Sequence, residues 1–314
     1  MNSLASSLCK YIIAALLCFP ISTFALENGG QTFTIAVISN KAKKRIGEFM
    51  PLSSYLSEKS QALGFTNANV VVTEDISQIA DLVNAGKVHL IAATPYSGLL
   101  LEHRHIATPT AKYDKNSLAS YHSVFFCKQR APIHQLSDLK GKTLLFERRL
   151  STSAYFQPML ELIRHGIPVE YLSDIHQGPK PDTVGYRFIQ DELAMTNEIN
   201  MSLWVDSGIV DAAAFSNENW LSDREMPNNM RKQMKIFHRS FDLPRALLLA
   251  PNSNTKALNS SIHKAFDTLK HEPNGREILN SLQNSQYIKP LSPKDREQLD
   301  VVRRHLPTLL KLNQ

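Results

Sequence analysis

The chain has 314 residues, 43% of them hydrophobic, three cysteines and a formal net charge of +6. That length supplies a core large enough to stand without covalent staples, which excludes a small disulfide-held module. The positive excess is spread along the chain, apart from short clusters such as Lys41-Ala42-Lys43-Lys44-Arg45; this argues against nucleic acid as a partner and describes a solvated basic surface that mildly attracts anions.

In chain order, Lys10 precedes the uncharged run YIIAALLCFPISTFA, and small residues, Thr23 and Ala25, stand at the −3 and −1 positions of a cleavage site. The run is too short for a membrane span of roughly 20 residues, so residues 1–25 are expected to be a secretory signal peptide and the mature protein to be periplasmic. A lipid anchor on Cys18 is disfavoured, because Leu17 stands where a lipoprotein signal has a small residue. Cys9 and Cys18 leave with the signal and Cys127 remains, so no internal disulfide is expected.

After the signal, TFTIAVIS (32–39) reads as a buried strand, and a helix is predicted from Arg45 to Gln61 with Phe49, Leu52, Tyr55 and Leu56 at helical spacing. ANVVVTE, ISQIADLVNAG and VHLIAAT follow as strand, helix and strand, an alternation that implies parallel pairing through right-handed crossovers. The pattern resumes with SVFFCK (strand), QLSDLKG (short helix), KTLLFE (strand), FQPMLELIRHG (helix), VEYLSDI (strand), a helix over about 190–207, and the strand IVDAAAF. KIFHRS and RALLLAP are read as segments returning the chain to the first unit, and the charged C-terminal third as helices on the outside. Two α/β units in series make two lobes, 26–120 with 246–314 and 121–245, and a cleft between strand ends where ligands bind.

The stretch Leu150-Ser151-Thr152-Ser153-Ala154-Tyr155 sets three hydroxyls directly after an apolar strand. At a helix start the first N–H groups lack acceptors and the dipole end is positive, so an oxyanion can be held there. Read from the tripeptide alone, Ser151 or Ser153 serves equally as an ordinary N-cap. Pro158 places the longer helix near Gln157, with the hydroxyl turn before it. Ser39 and Asn40 after the first strand, and Thr94 and Tyr96 after the third, line the cleft from the first lobe on the strand assignment.

The order and spacing of YHSVFF (121–126), LSDLKGKT (136–143), STSAYFQP (151–158) and GIVDAAA (208–214) resembles the periplasmic substrate-binding proteins of phosphate, phosphite and phosphonate ABC transporters. The resemblance implies an α/β, two-lobed, type II-like binding protein. Each lobe would be a mostly parallel sheet flanked by helices, with hinge strands between. It also implies that Ser151, Thr152 and Ser153 grip phosphonate or phosphate oxygens, that the Tyr121 hydroxyl reaches the same group, and that Glu218 stands at the acid that contacts a ligand amine in some members. Read from residues alone, Tyr121 is equally a packed strand aromatic and Glu218 a surface carboxylate.

Departures from the family pattern are Ala154 where a glycine is usual, RRL before the triplet where Pro or Asn is frequent, Ile76 in place of a first-lobe aromatic, and Arg245 where amine-binding members have an acid. Arg148 and Arg149 either clamp the anion as bidentate guanidiniums or are solvated. No metal-binding helix motif, nucleophile elbow or phosphate-cradling glycine loop occurs; His103 and His105 read as a solvated loop and Cys127 as a buried small hydrophobe, so no enzyme, metal or cofactor is expected. The expected partners are a small oxyanion and an ABC permease, the protein acting as a monomer. The alternatives are a ligand-sensing subunit for a membrane histidine kinase, or a secreted α/β hydrolase.

Overall fold

The computed structural model describes residues 30–193 and 197–312. The expected signal peptide and its cleavage site lie outside the described residues, and among these no helix is long and apolar enough to cross a membrane.

The strands are β1 (Gln31–Ile38), β2 (Phe65–Thr73), β3 (Leu90–Ala93), β4 (Ala107–Tyr113), β5 (Ser120–Tyr121), β6 (Ser123–Lys128), β7 (Thr143–Phe146), β8 (Val169–Tyr171), β9 (Val184–Phe188), β10 (Ala212–Ser216), β11 (Met234–Arg239), β12 (Leu243–Pro244), β13 (Ala246–Pro251) and β14 (Ile288–Pro290). The α-helices are α1 (Ala42–Lys59), α2 (Ile76–Asn84), α3 (Pro95–His103), α4 (Gln157–Arg164), α5 (Glu198–Ser207), α6 (Asn217–Leu221), α7 (Asn228–Arg231), α8 (Lys256–Leu269), α9 (Gly275–Ser281) and α10 (Pro293–Leu312).

One six-stranded sheet runs β14-β4-β13-β3-β1-β2 and a second runs β11-β6-β10-β7-β9-β8. In the first, β1 is central to a parallel trio, with Ile35 opposite Val70 of β2 and Leu90 of β3. Its residues Phe33 to Val37 are buried on both faces, which is why Ile35, Ala36 and Val37 follow one another without alternation, Thr34 being the one polar residue among them. β13 pairs antiparallel with β3 and β4, and β14 antiparallel with β4, so this sheet is mixed. The physical reason is that β13 enters from the other lobe, with no crossover helix to bring it round in the parallel sense.

The second sheet has β10, β7, β9 and β8 in parallel register, with β6 antiparallel to β10 and the edge strand β11 antiparallel to β6. KIFHRS is thus the edge strand β11 of this sheet and not a return to the first lobe. The chain instead crosses at 114–122 and 240–245, where β5 and β12 form a two-stranded antiparallel pair with Tyr121 opposite Leu243.

α10 packs one face inward and leaves the other exposed. Leu299, Val302, Leu306 and Leu309 repeat at three- and four-residue spacing and are buried with Leu99 and Leu100 of α3 and Leu160 and Leu162 of α4 in one apolar cluster, so the last helix straps both lobes. Arg303 grips Glu102 of α3 through two bonds, at 2.6 and 3.0 Å, which fixes its rotation.

Candidate functional site

The ends of β1, β3, β7 and β10 open into a cavity of about 490 Å³ between the sheets. Its wall includes Ser39 and Asn40 after β1, Thr94 after β3, Glu147 and Ser151 to Ser153 after β7, Glu218 on α6 after β10, and Tyr121 and Arg245 from the crossing strands. The C-terminal ends of parallel strands gather these residues because the chain turns there into helices whose first N–H groups face the gap.

Ser151 is the N-cap of a wide helical turn, Thr152–Phe156, that runs straight into α4. The Ser151 hydroxyl accepts from the Ala154 N–H at 3.2 Å, so the capping role is real. It is also hydrogen-bonded to the Glu147 carboxyl. Thr152 Oγ1 accepts from the Tyr96 N–H at 3.1 Å, a bond between the lobes, and is hydrogen-bonded to the Tyr121 hydroxyl. The backbone N–H groups of Thr152 and Ser153, and the Ser153 hydroxyl, have no acceptor among the described residues.

The turn is anchored from behind. Ser123 Oγ donates to the Ser153 carbonyl at 2.7 Å and to Gln157 Oε1 at 3.2 Å, Gln157 donates onward to the Phe241 carbonyl, and the Ser123 N–H donates to Ser240 Oγ at 2.8 Å. The Ser151 to Ser153 turn is therefore joined by hydrogen bonds to the segment that crosses between lobes.

Tyr121 is buried with its hydroxyl on Thr152, and the Arg245 guanidinium lies 4.5 Å over its ring. Arg245 Nε is 2.6 Å from Glu218 Oε2 as an ion pair, but the N–H is not aimed at that oxygen, and neither atom has a hydrogen-bond partner among the described residues. The acid that would meet a ligand amine is thus already neutralised by an arginine of the same chain.

One expected residue falls elsewhere, and of the two arginines left open Arg149 takes the solvated alternative. The Tyr96 side chain does not line the cavity; its ring stacks on Phe156 at 4.1 Å, and burial pushes its hydroxyl up to about 12, so it contributes packing and its N–H. Arg149 pairs with Asp191 at 2.6 Å, away from the cavity, and its guanidinium covers Phe188. Arg148 does line the cavity, where it pairs with Glu74 of the first lobe and is 3.4 Å from Glu147.

Sequence reasoning missed Lys115, Glu147, Glu198, Glu225 and Gln283, and took Lys41, Lys44 and Arg45 for plain surface, yet all of them line the cavity. Glu147 was visible as the last residue of TLLFE, next to the triplet. Burial, with the Glu198 charge adding to it, pushes its carboxyl up to about 7, against the pull of Arg148, Ser151 and Lys41. Being raised, it holds its proton below that pH and sheds it above, so a negative charge appears beside the Ser151 to Ser153 turn as pH rises. A like charge in one cavity costs on the order of 1–2 kcal/mol at an effective dielectric of about 20. Glu147→Gln is therefore expected to match wild-type affinity for methylphosphonate at about pH 5.5 and to bind roughly tenfold tighter at about pH 8.5, read by calorimetry as the ratio of the two proteins so that ligand titration cancels.

Two sheet-centred lobes with a cleft at strand ends have the architecture of periplasmic binding proteins. The family model for ABC transporter phosphonate periplasmic substrate-binding proteins matches residues 35–295, and the chain belongs to that family, whose members bind solutes for ABC transporters and are not enzymes. Family membership carries a periplasmic location, a small ligand and an ABC permease partner.

Among solved structures, XAC2383 from Xanthomonas citri bound to chloride is 25% identical, with a TM-score of 0.81 over 89% of this chain and 99% of that one. The same protein bound to ATP is 24% identical, with a TM-score of 0.81 over 90% and 100% of the two chains. PhnD1 from Prochlorococcus marinus in complex with methylphosphonate shares the fold at 15% identity, TM-score 0.59, over 88% of this chain and 98% of that one.

Proposed function

We propose that this protein captures a small oxyanion of the phosphonate, phosphite or phosphate type between its lobes and presents it to the permease of an ABC importer. The observation that carries the reading is the set of uncommitted donors, Thr152 N–H, Ser153 N–H and Ser153 Oγ, at the head of a helical run that opens into the cavity. Such donors stabilise a tetrahedral oxyanion without a fixed ion pair. The surrounding cations Lys41, Lys44, Arg45, Lys115, Arg148, Arg224 and Arg245 outnumber the acids Glu147, Glu198, Glu218 and Glu225, which favours a negative guest. XAC2383 with chloride is a relative that holds an anion.

Closure on the ligand would draw Ser151 to Ser153 and Tyr121 toward Ser39, Asn40 and Thr94, and the permease would read the closed form. A thermal-shift series with phosphate, phosphite, methylphosphonate, 2-aminoethylphosphonate, ATP and sulfate tests the reading. A phosphorus oxyanion at about a hundred times its Kd is expected to raise Tm by roughly 5–10 °C. A series in which none of the phosphorus oxyanions raises Tm contradicts it.

A further inference from the structure

Lys115 is the cavity residue whose surroundings the oxyanion seat does not explain. It begins a tight turn in which its N–H and carbonyl bond the Leu118 carbonyl and N–H at 3.1 and 2.9 Å, while Asn116 and Ser117 take left-handed φ values of 49° and 64°. A second left-handed pair, Gln283 and Asn284 at 56° and 54°, docks on this turn, with the Asn116 N–H donating to the Gln283 carbonyl at 2.9 Å and Asn284 Nδ2 to Asn116 Oδ1 at 3.2 Å. The two left-handed pairs thus hold each other in place at the cavity wall.

What this double turn positions is a cation without an acid of its own. The neighbouring Asp114 is turned away, accepting from Ser285 Oγ at 2.7 Å and from the Gln286 and Tyr287 N–H groups at 2.7 and 3.2 Å. Glu218, the carboxylate nearest in effect, is taken by Arg245, and Glu48 is taken by Lys44 and Arg45. The Lys115 ammonium has no hydrogen bond or ion pair among the described residues, although it lines the cavity. Contacts run from the oxyanion seat through Thr152 to the Tyr121 hydroxyl and from the Tyr121 ring to Arg245, whose charge is felt at Lys115. A cavity of about 490 Å³ falls in the range, roughly 300–1,000 Å³, that suits a drug-sized molecule, more room than a bare tetrahedral oxyanion fills.

We propose that Lys115 holds a second anionic group of the ligand, so that the cavity takes a phosphonate or organic phosphate bearing a carboxylate at its far end. This rests on the reading of Ser151 to Ser153 as the seat of the phosphorus oxyanion. Burial, then the nearby Arg245, lowers the ammonium to about 8, with Arg45 and Lys44 adding to the fall and Glu218 opposing it. An ammonium so placed gains from an arriving carboxylate and binds it less well as pH rises past about 8. The same cations repel a ligand amine.

The test is calorimetry of wild type, Lys115→Gln and Lys115→Arg with methylphosphonate, 2-aminoethylphosphonate, phosphonoacetate and 3-phosphonopropionate. In wild type one of the carboxylated phosphonates is expected to bind at least about tenfold more tightly than methylphosphonate, and the aminated one more weakly. Lys115→Gln collapses the carboxylate-to-methyl affinity ratio, while Lys115→Arg keeps the ratio and loses its decline above about pH 8. Carboxylated and methyl phosphonates that bind wild type with equal affinity, or a ratio unchanged in Lys115→Gln, overturn the proposal while the oxyanion reading stands. Failure of every phosphonate and of phosphate to bind wild type overturns both.

Discussion

Thr152→Val combined with Ser153→Ala is expected to lower affinity for methylphosphonate or phosphate by roughly 10²–10⁴-fold in a calorimetric titration, since the Ser153 hydroxyl bond to a charged group contributes about 1.5–3 kcal/mol and the Thr152 change adds the cost of an orphaned donor. The two substitutions act differently. The Ser153 hydroxyl has no protein acceptor among the described residues, so its removal subtracts a donor from the guest and leaves the rest intact. Thr152 is buried and joins the Tyr96 N–H to the Tyr121 hydroxyl, so valine orphans a buried N–H and unties a bond between the lobes as well. The orphaned donor alone costs about 1–3 kcal/mol of the joined arrangement. Ser153→Ala by itself separates the terms, with an expected loss of roughly ten- to a hundredfold. Affinity within about threefold of wild type in the double variant would remove these hydroxyls from the site.

Glu218→Ala is expected to destabilise the fold by about 3–5 kcal/mol, because it leaves the largely buried Arg245 guanidinium without its counter-charge. Arg245 and Lys115 then act on each other without the opposing charge of Glu218. For a chain of this size the fall in Tm is roughly 6–15 °C in a thermal melt. Oxyanion affinity should move the other way and rise, since a negative charge leaves the cavity wall. Replacing both partners, Glu218→Gln with Arg245→Met, should recover most of the stability, because no buried charge is stranded. A single variant as stable as wild type would show the pair to be a solvated contact.

The sheets were legible where one strand carries its own signal. β1, β3, β7 and β10 are buried runs that end in turn residues or a helix start, and their pattern survives without any knowledge of partners. β9 and β4 were not recognised, because VGYRF and ATPTAKY mix polar and apolar residues and become strands through their neighbours in the sheet. β11 was misread for a similar reason: KIFHRS is an edge strand, and whether such a segment stays in one lobe or crosses to the other depends on the partner it finds, which here is β6.

The site divides along the same line. Ser151 to Ser153, Tyr121, Glu218 and Arg245 sit in motifs whose order along the chain mirrors the strand ends they occupy. Lys115 and Gln283 meet only because two turns far apart in sequence dock on each other, and local composition holds no trace of that. Tyr96 fails as a cavity side chain because its ring is more stable against Phe156 than facing polar donors.

A structure of the protein with methylphosphonate bound tests the oxyanion seat most directly. The phosphonate oxygens are expected within about 2.7–3.1 Å of the Thr152 and Ser153 nitrogens and of Ser153 Oγ, with the two lobes closed over them. A ligand found elsewhere, or those three donors turned onto protein acceptors in the complex, would contradict it.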